Sequence, residues 1–280
     1  MRKIPCLNLD MCRMKNAAKK EQDLDRTILE YTKESGYTSF QRVYVGSSFC
    51  AQYFLSISND RMWQIRRFCE QLQIKLTLVV PTATQKNLIL VKEKLQELIA
   101  IGNSCVDEIT INDYGMLHYT KENYDRNLNL GRLFMKDYRD KRYQDYFHQR
   151  LQPKIMNPTM KEFLMNYGVT GLEFDLTHNE IDVSDVPKEF MIGVHYPYCY
   201  QTVGHICEAA SIHVPVEQKF RPSHPCHQEC EKMILLYQTE MGVDYYKQGR
   251  VVFFENTDCN IMNREEIRLI YTPKLNGGEY

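Results

Sequence analysis

Short apolar runs alternate along the chain with longer stretches in which apolar residues return every three or four positions. The runs are Arg42–Gly46, Ile74–Val80, Val106–Ile111, Asn127–Leu130, Gly171–Asp175 and Phe190–Val194, each of strand length. The helical stretches are Lys20–Ser35 (Leu24, Ile28, Leu29, Tyr31), Met62–Leu72, Lys86–Ile101 with Gly102 at its end, and Thr159–Tyr167. Pro81 stops the second strand, and Asn112-Asp-Tyr-Gly115 reads as the exit loop of the third. Strands alternating with helices predict a parallel sheet with covering helices. A TIM-barrel-like (β/α)₈ barrel, complete or distorted, fits this α/β pattern best; a doubly wound open sheet is the alternative that periodicity does not separate. No Gly/Ser linker interrupts the chain. The tract Val214–Pro225, with Pro215, Pro222 and Pro225, reads as a loop, so residues 1–280 are taken as one domain with a cysteine-rich segment at about 195–235.

Composition narrows the class. The 280 residues suffice for a sizeable core, and 43% hydrophobic with 25% charged residues is ordinary for a globular protein. A net charge of -1 argues against a broad nucleic-acid-binding surface, although a local basic groove escapes such a count. No apolar run approaches the roughly 20 residues that span a bilayer. The start, Met1-Arg-Lys-Ile-Pro-Cys, lacks an apolar stretch behind its basic residues, so a cytoplasmic protein with reduced cysteines is expected.

Ten cysteines are more than packing requires. Cys69, in an amphipathic stretch, and Cys105, just before a strand, read as buried packing residues; Cys6 and Cys12 are left unassigned. Cys199, Cys207, Cys226 and Cys230 crowd together after the Phe190–Val194 strand, separated by seven, eighteen and three residues. Three intervening residues place two sulfurs on one side of a helical turn, and Pro225 suits a helix start, where free N–H groups favour thiolate. Such a set points to a metal centre, with an iron–sulfur cluster ahead of zinc. Zinc competes because His224 and His227 flank Cys226, but the spacing matches no usual zinc finger or ribbon. Cys50 also ends a strand segment, and the strand ends of a (β/α) barrel converge on one face, which makes five candidates for four positions.

In this order the motifs resemble those of the collagenase-like peptidase U-32 family, most closely its UbiV-type branch, over about residues 40–260. They are Val43-Tyr-Val-Gly46 followed by Cys50, Asn112-Asp-Tyr-Gly115, Gly131-Arg-Leu133, the Gly171–Asp175 strand, His195-Tyr-Pro-Tyr198, Gly204-His-Ile-Cys207 and Cys226-x3-Cys230. The resemblance implies a 4Fe–4S cluster on Cys50, Cys207, Cys226 and Cys230. Other branches use the place of Cys199, and Cys259 resembles a late ligand of another branch. It further implies oxygen-independent hydroxylation of a small aromatic ring in quinone biosynthesis or of an RNA nucleobase, and a hetero-oligomer with a related family member. The loop before Cys207 is one residue longer than usual and His205 stands where arginine is common. The older peptidase label implies proteolysis, but no Gly-x-Ser-x-Gly elbow or His-Glu-x-x-His helix supports it.

Asn112, Asp113, Glu173 and Asp175 stand at strand ends and so are candidates to face a barrel mouth, with ordinary loop chemistry as the competing account for the Asn-Asp turn. Arg132 is a candidate for an anionic substrate or else a surface ion pair. His195 is a candidate near the cluster or a structural histidine. Tyr196, Tyr198 and Tyr200 are packing residues unless they stack on a ring, and Arg139–Arg142 is a solvated basic face. A cluster-bearing enzyme or subunit is the first reading. The second is a non-catalytic protein in which zinc or an iron–sulfur centre staples a loop and presents a surface to a partner.

Overall fold

The structure, a computed structural model, describes residues 1–9, 21–135, 154–219, 225–231, 233–239, 242–259 and 261–273. Cys12, Pro222, His224 and the run Arg139–Arg142 lie outside the described residues. Along the chain β1 (Arg2–Leu9) is followed by α1 (Glu21–Ser35), β2 (Arg42–Gly46), α2 (Ala51–Ser56), α3 (Asn59–Leu72), β3 (Lys75–Val80), α4 (Leu88–Gly102), β4 (Val106–Ile111), α5 (Tyr114–Asn123) and β5 (Asn127–Leu130). Then come α6 (Pro158–Asn166), β6 (Val169–Asp175), the short β7 (Ile181–Asp182) and β8 (Met191–Tyr196). Beyond these lie β9 (Tyr198–Val203), β10 (Ile234–Gln238), β11 (Asp244–Gln248), β12 (Val251–Glu255), β13 (Ile261–Met262) and β14 (Glu266–Tyr271).

Eight strands close into a barrel in the order β1-β2-β3-β4-β5-β6-β8-β14, and every neighbouring pair is parallel. This is the TIM-barrel-like architecture; the open doubly wound sheet is excluded by the β1–β14 pairing that closes the ring. The helical layer is interrupted among the described residues. Between β6 and β8 stands β7, paired with β13, and between β8 and β14 lies an antiparallel sheet ordered β10-β11-β12-β9. That inserted sheet carries the cysteine-rich segment. No helix among the described residues is long and apolar enough to cross a membrane.

Strand polarity alternates with the pleat, whose side chains change face at every residue. In β4 and β6, Ile109, Ile111, Leu172 and Phe174 are buried in the main apolar core, while on the other face the Thr110 hydroxyl donates to Glu173 and Glu108 accepts from Thr77 of β3 and Arg268 of β14. In β2, Val43 and Val45 join the main core, and Tyr44 meets Cys6, Val79 and Ile270 in a small separate cluster. The interior is therefore largely polar. Arg268 Nη1 donates to both Glu108 oxygens at 2.8 Å, and Arg42 donates to Thr77 at 2.9 Å and Asp107 at 2.7 Å. Burying charges in this way requires each to be partnered, and these are.

Asn112–Gly115 is not wholly a loop. Tyr114 and Gly115 form the first turn of α5, because Asp113 caps it by accepting the Met116 N–H at 2.7 Å, which offsets the helix cost of glycine. At Gly46 the backbone has φ +132°, and a Cβ there would stand 2.0 Å from the Val79 carbonyl oxygen. Gly46→Ala should therefore destabilise the barrel by about 3 kcal/mol or more, read as a lower urea midpoint with unchanged slope.

Candidate metal centre and barrel mouth

Cys50, Cys207 and the Cys226/Cys230 pair come from three separate segments and lie within electrostatic reach of one another. Cys50 follows β2, where Ser47 Oγ accepts the N–H groups of Phe49 (3.1 Å) and Cys50 (3.0 Å) and so fixes the turn that delivers the thiol at the start of α2. Cys207 follows β9, and Cys230 sits in a short 3₁₀ turn, Glu229–Glu231, ahead of β10. The turn between β11 and β12 lies beside them. A Cβ on Gly249, which has φ +59°, would stand in ordinary contact at 3.6 Å from Cys230 Sγ and 3.8 Å from Cys207 Sγ. Both sulfurs thus lie against one glycine, which is there for its left-handed backbone.

Electrostatics ties in the other two. Burial pushes the Cys226 thiol up to about 11, the Gln228 N–H (3.4 Å from its sulfur) acts the other way, and Cys50, Cys230 and Cys207 each raise it further. Burial likewise raises Cys50 and Cys207, each also raised by Cys230, while Arg250 lowers both. Cys226 thus feels the other three sulfurs, Cys50 feels Cys207 and Cys230, and Arg250 is the compensating cation for Cys50 and Cys207. Arg250 went unnoticed in the sequence. It follows Gly249 directly, and its guanidinium reaches Thr82 Oγ1 at 3.4 Å.

The segment around Cys226 differs from expectation. Pro225–Gln228 is not helical, and Gln228 takes φ +62° before the 3₁₀ turn. Cys226 and Cys230 are therefore separated by a left-handed kink rather than by one helical turn. His227 is exposed. Cys199 is fully buried in β9, and its S–H lies 3.6 Å from the His195 carbonyl oxygen and 3.7 Å from that of Pro197. Donation to carbonyls belongs to a neutral packing thiol. Cys259 is half-buried against the main core. Cys69 and Cys105 are buried, as their positions led one to expect, and Cys6 lies inside the barrel with its thiol raised to about 12 by burial.

The fit to a metal group rests on the donors. Four thiols, with no carboxylate or imidazole identified among them, suit soft-metal or iron–sulfur ligation. Among the described residues no group of three or more His, Cys, Asp or Glu side chains is arranged to hold one metal ion. Sulfurs around a single tetrahedral zinc stand about 3.8 Å apart, whereas cluster ligands bind different irons and stand farther from one another.

The barrel mouth adjoins this set through Phe49. Its ring packs edge-on against Tyr200 at 5.3 Å and lies 5.1 Å from the Arg132 guanidinium. Arg132 is no surface ion pair. Its side chain is 1% exposed, and it pairs with Asp175, Nε to Oδ2 at 3.1 Å and Nη2 to Oδ1, while Nη2 also donates to the Tyr198 carbonyl at 3.1 Å. Asp175 in turn accepts the Tyr200 N–H at 3.0 Å, so this ion pair locks β9 of the inserted sheet to the barrel. Tyr198 and Tyr200 belong to a second apolar cluster with Phe49, Val251 and Phe253. Asn112 and Asp113 are engaged with the main chain. Asn112 donates to the Val80 carbonyl at 2.9 Å, and besides capping α5 Asp113 accepts the Ala83 N–H at 2.8 Å.

Glu173 and His195 form a buried pair, each side chain 1% exposed, with Glu173 Oε2 2.8 Å from His195 Nε2 and the Thr110 hydroxyl donating to Glu173 Oε1. Burial pushes Glu173 from 4.5 up to about 8 and holds His195 well below its ordinary 6.5, so the pair is neutral at pH 7. As pH rises from 6.5 toward 8 the folded chain keeps on Glu173 a proton that the unfolded chain has lost, so this pair's contribution to stability falls. Glu173→Gln should abolish that fall, as urea melts at pH 6.5, 7.5 and 8.5 will show.

No protein-family model matches the chain, and no curated protein matches it either.

Proposed function

We propose that the chain is an iron–sulfur protein of the peptidase U-32 family, nearest its UbiV-type branch, with Cys50, Cys207, Cys226 and Cys230 holding a 4Fe–4S cluster. One observation carries this reading: four thiols singled out by motif, up to 180 residues apart, share one electrostatic neighbourhood beside the barrel mouth. When bound, the cluster supplies one-electron chemistry. The chain's own residues do the rest. Gly249 makes the left-handed turn that lies against the Cys207 and Cys230 sulfurs, Arg250 offsets thiolate charge, and the Arg132–Asp175 pair fixes the inserted sheet against the barrel. The reaction favoured is oxygen-independent hydroxylation of a small aromatic ring or RNA nucleobase, carried out by this chain or by a hetero-oligomer with a related family member. Proteolysis is disfavoured because the sequence carries neither a Gly-x-Ser-x-Gly elbow nor a His-Glu-x-x-His helix.

Anaerobic purification with iron, sulfide and zinc assays tests this. About four irons and matching sulfide per chain are expected. One zinc with no iron would instead favour the loop-stapling, non-catalytic alternative. Because burial holds the thiols protonated, loading releases protons, and iron uptake should become more complete as pH rises from 7 to 9.

A further inference from the structure

We propose that Glu173 and His195 are a proton relay at the barrel mouth, with His195 Nδ1 as the atom that exchanges a proton with an oxygen or ring nitrogen of the substrate. The geometry leaves one atom over. Glu173 Oε1 accepts from Thr110, and Oε2 meets His195 Nε2 at 2.8 Å, but His195 Nδ1 is buried with no hydrogen-bond partner among the described residues. A buried polar atom left unsatisfied is costly and calls for a reason. His195 and Glu173 lie near the C-terminal ends of β8 and β6, the face on which (β/α) barrels build their sites. The other polar groups there (Asn112, Asp113, Arg132 and Asp175) are already engaged.

The chemistry balances within the pair. At rest the Glu173 carboxyl donates to Nε2, which leaves the imidazole proton on Nδ1. In transfer the Nδ1–H bond breaks and its proton goes to the substrate atom; the Glu173 O–H breaks as Nε2–H forms. His195 stays neutral throughout, Glu173 ends as a carboxylate, and the substrate gains one proton; the reverse takes one away. The carboxylate so formed keeps the Thr110 hydroxyl and feels Arg268 from β14 and Arg132, against Glu108 from β4. His195 faces Arg132 and Asp175, with the Tyr44 ring edge-on at 6.3 Å and Cys6 beside Tyr44. A carboxyl kept protonated near neutrality by burial is how enzymes hold an acid ready.

The relay stands on this geometry alone. The substrate class rests on the reading above: a keto or hydroxyl oxygen, or a ring nitrogen, is common to a phenolic ring and a nucleobase. Nitrogen-15 NMR of the histidine-labelled full chain, with iron assayed on the same sample, separates the two questions. His195 should stay singly protonated, on Nδ1, from its ordinary pKa of 6.5 up to about pH 8. Phenol and uracil are added separately as probes, and the one of the matching class should shift the Nδ1 resonance. His195→Ala should weaken that probe at least tenfold. Glu173→Gln, which preserves both hydrogen bonds, should bind it within threefold of the parent but lose the change in affinity that the parent shows as pH approaches 8. A second proton on His195 above pH 6, or an Nδ1 signal unmoved by both probes, overturns the relay. Absence of iron with these shifts intact overturns the cluster and leaves the relay standing.

Discussion

Cys230→Ala, Cys226→Ala, Cys207→Ala and Cys50→Ala should each cost the anaerobically purified protein at least nine-tenths of its iron, whereas Cys199→Ala should retain it. Cys226 feels the sulfurs of Cys50, Cys207 and Cys230, and Cys50 feels those of Cys207 and Cys230, which sets the four in one neighbourhood. Cys199 is sealed inside β9, with its S–H directed at the His195 and Pro197 carbonyls. The Cys50–Cys199 contrast is the decisive pair, because motif alone leaves the fourth ligand open. The melting temperature of the barrel should change little in all five, since the ring closes through β1–β14 and β8–β14 pairing without help from the inserted sheet. A Cys226→Ala protein that keeps iron would remove the sharpest ligand pair from the cluster reading. One that unfolds would favour a centre whose role is to staple.

The barrel was legible where its strands carry apolar residues on their outward face and lie next to readable helices. β2, β3, β4, β5, β6 and β8 all announced themselves, most within two residues of their observed ends. The two strands that close the ring did not. β1 (Arg-Lys-Ile-Pro-Cys-Leu-Asn-Leu) carries a proline and polar positions, and β14 carries Arg268 into the interior to meet Glu108 and Tyr44. A parallel barrel strand ordinarily reads as a continuous apolar run because both its faces are buried in apolar surroundings. Here one face is buried among partnered charges, which erases that signal. The inserted sheet was missed for another reason. β10 places Leu235, Leu236 and Tyr237 at an exposed edge, so its apolar content has no period that a core would impose. Of the site, the cysteines were visible because their chemistry is rare and local spacing marks it. Arg250 and the unpaired Nδ1 of His195 were not, since their significance arises only from what folding places beside them. Arg132 was read as a residue for an anion or the surface; its pairing with Asp175, 43 residues away, depends on the β5–β6 juxtaposition.

Asp175→Ala should destabilise the protein by about 3–5 kcal/mol, the cost of leaving one member of a buried ion pair without its partner. The Arg132 side chain is 1% exposed and that of Asp175 is fully buried, so water cannot take over the lost contacts. The Arg132 guanidinium would retain the Tyr198 carbonyl and the Phe49 and Tyr200 ring faces, which soften the loss without replacing a carboxylate. The Tyr200 N–H would lose its acceptor as well. Arg132→Met combined with Asp175→Leu should recover most of the stability, because removing both charges removes the desolvation penalty along with the attraction. The pair also joins the inserted sheet to the barrel, and the double variant separates that task from stability. If the interlock holds Cys50 and the β9–β12 thiols in register, the double variant should be as stable as the parent yet bind iron less tightly. Urea melts alongside iron retention under a chelator would show the two effects apart. Equal iron retention in the double variant would mean that apolar packing of Phe49, Tyr200 and Phe253 alone aligns the sheet.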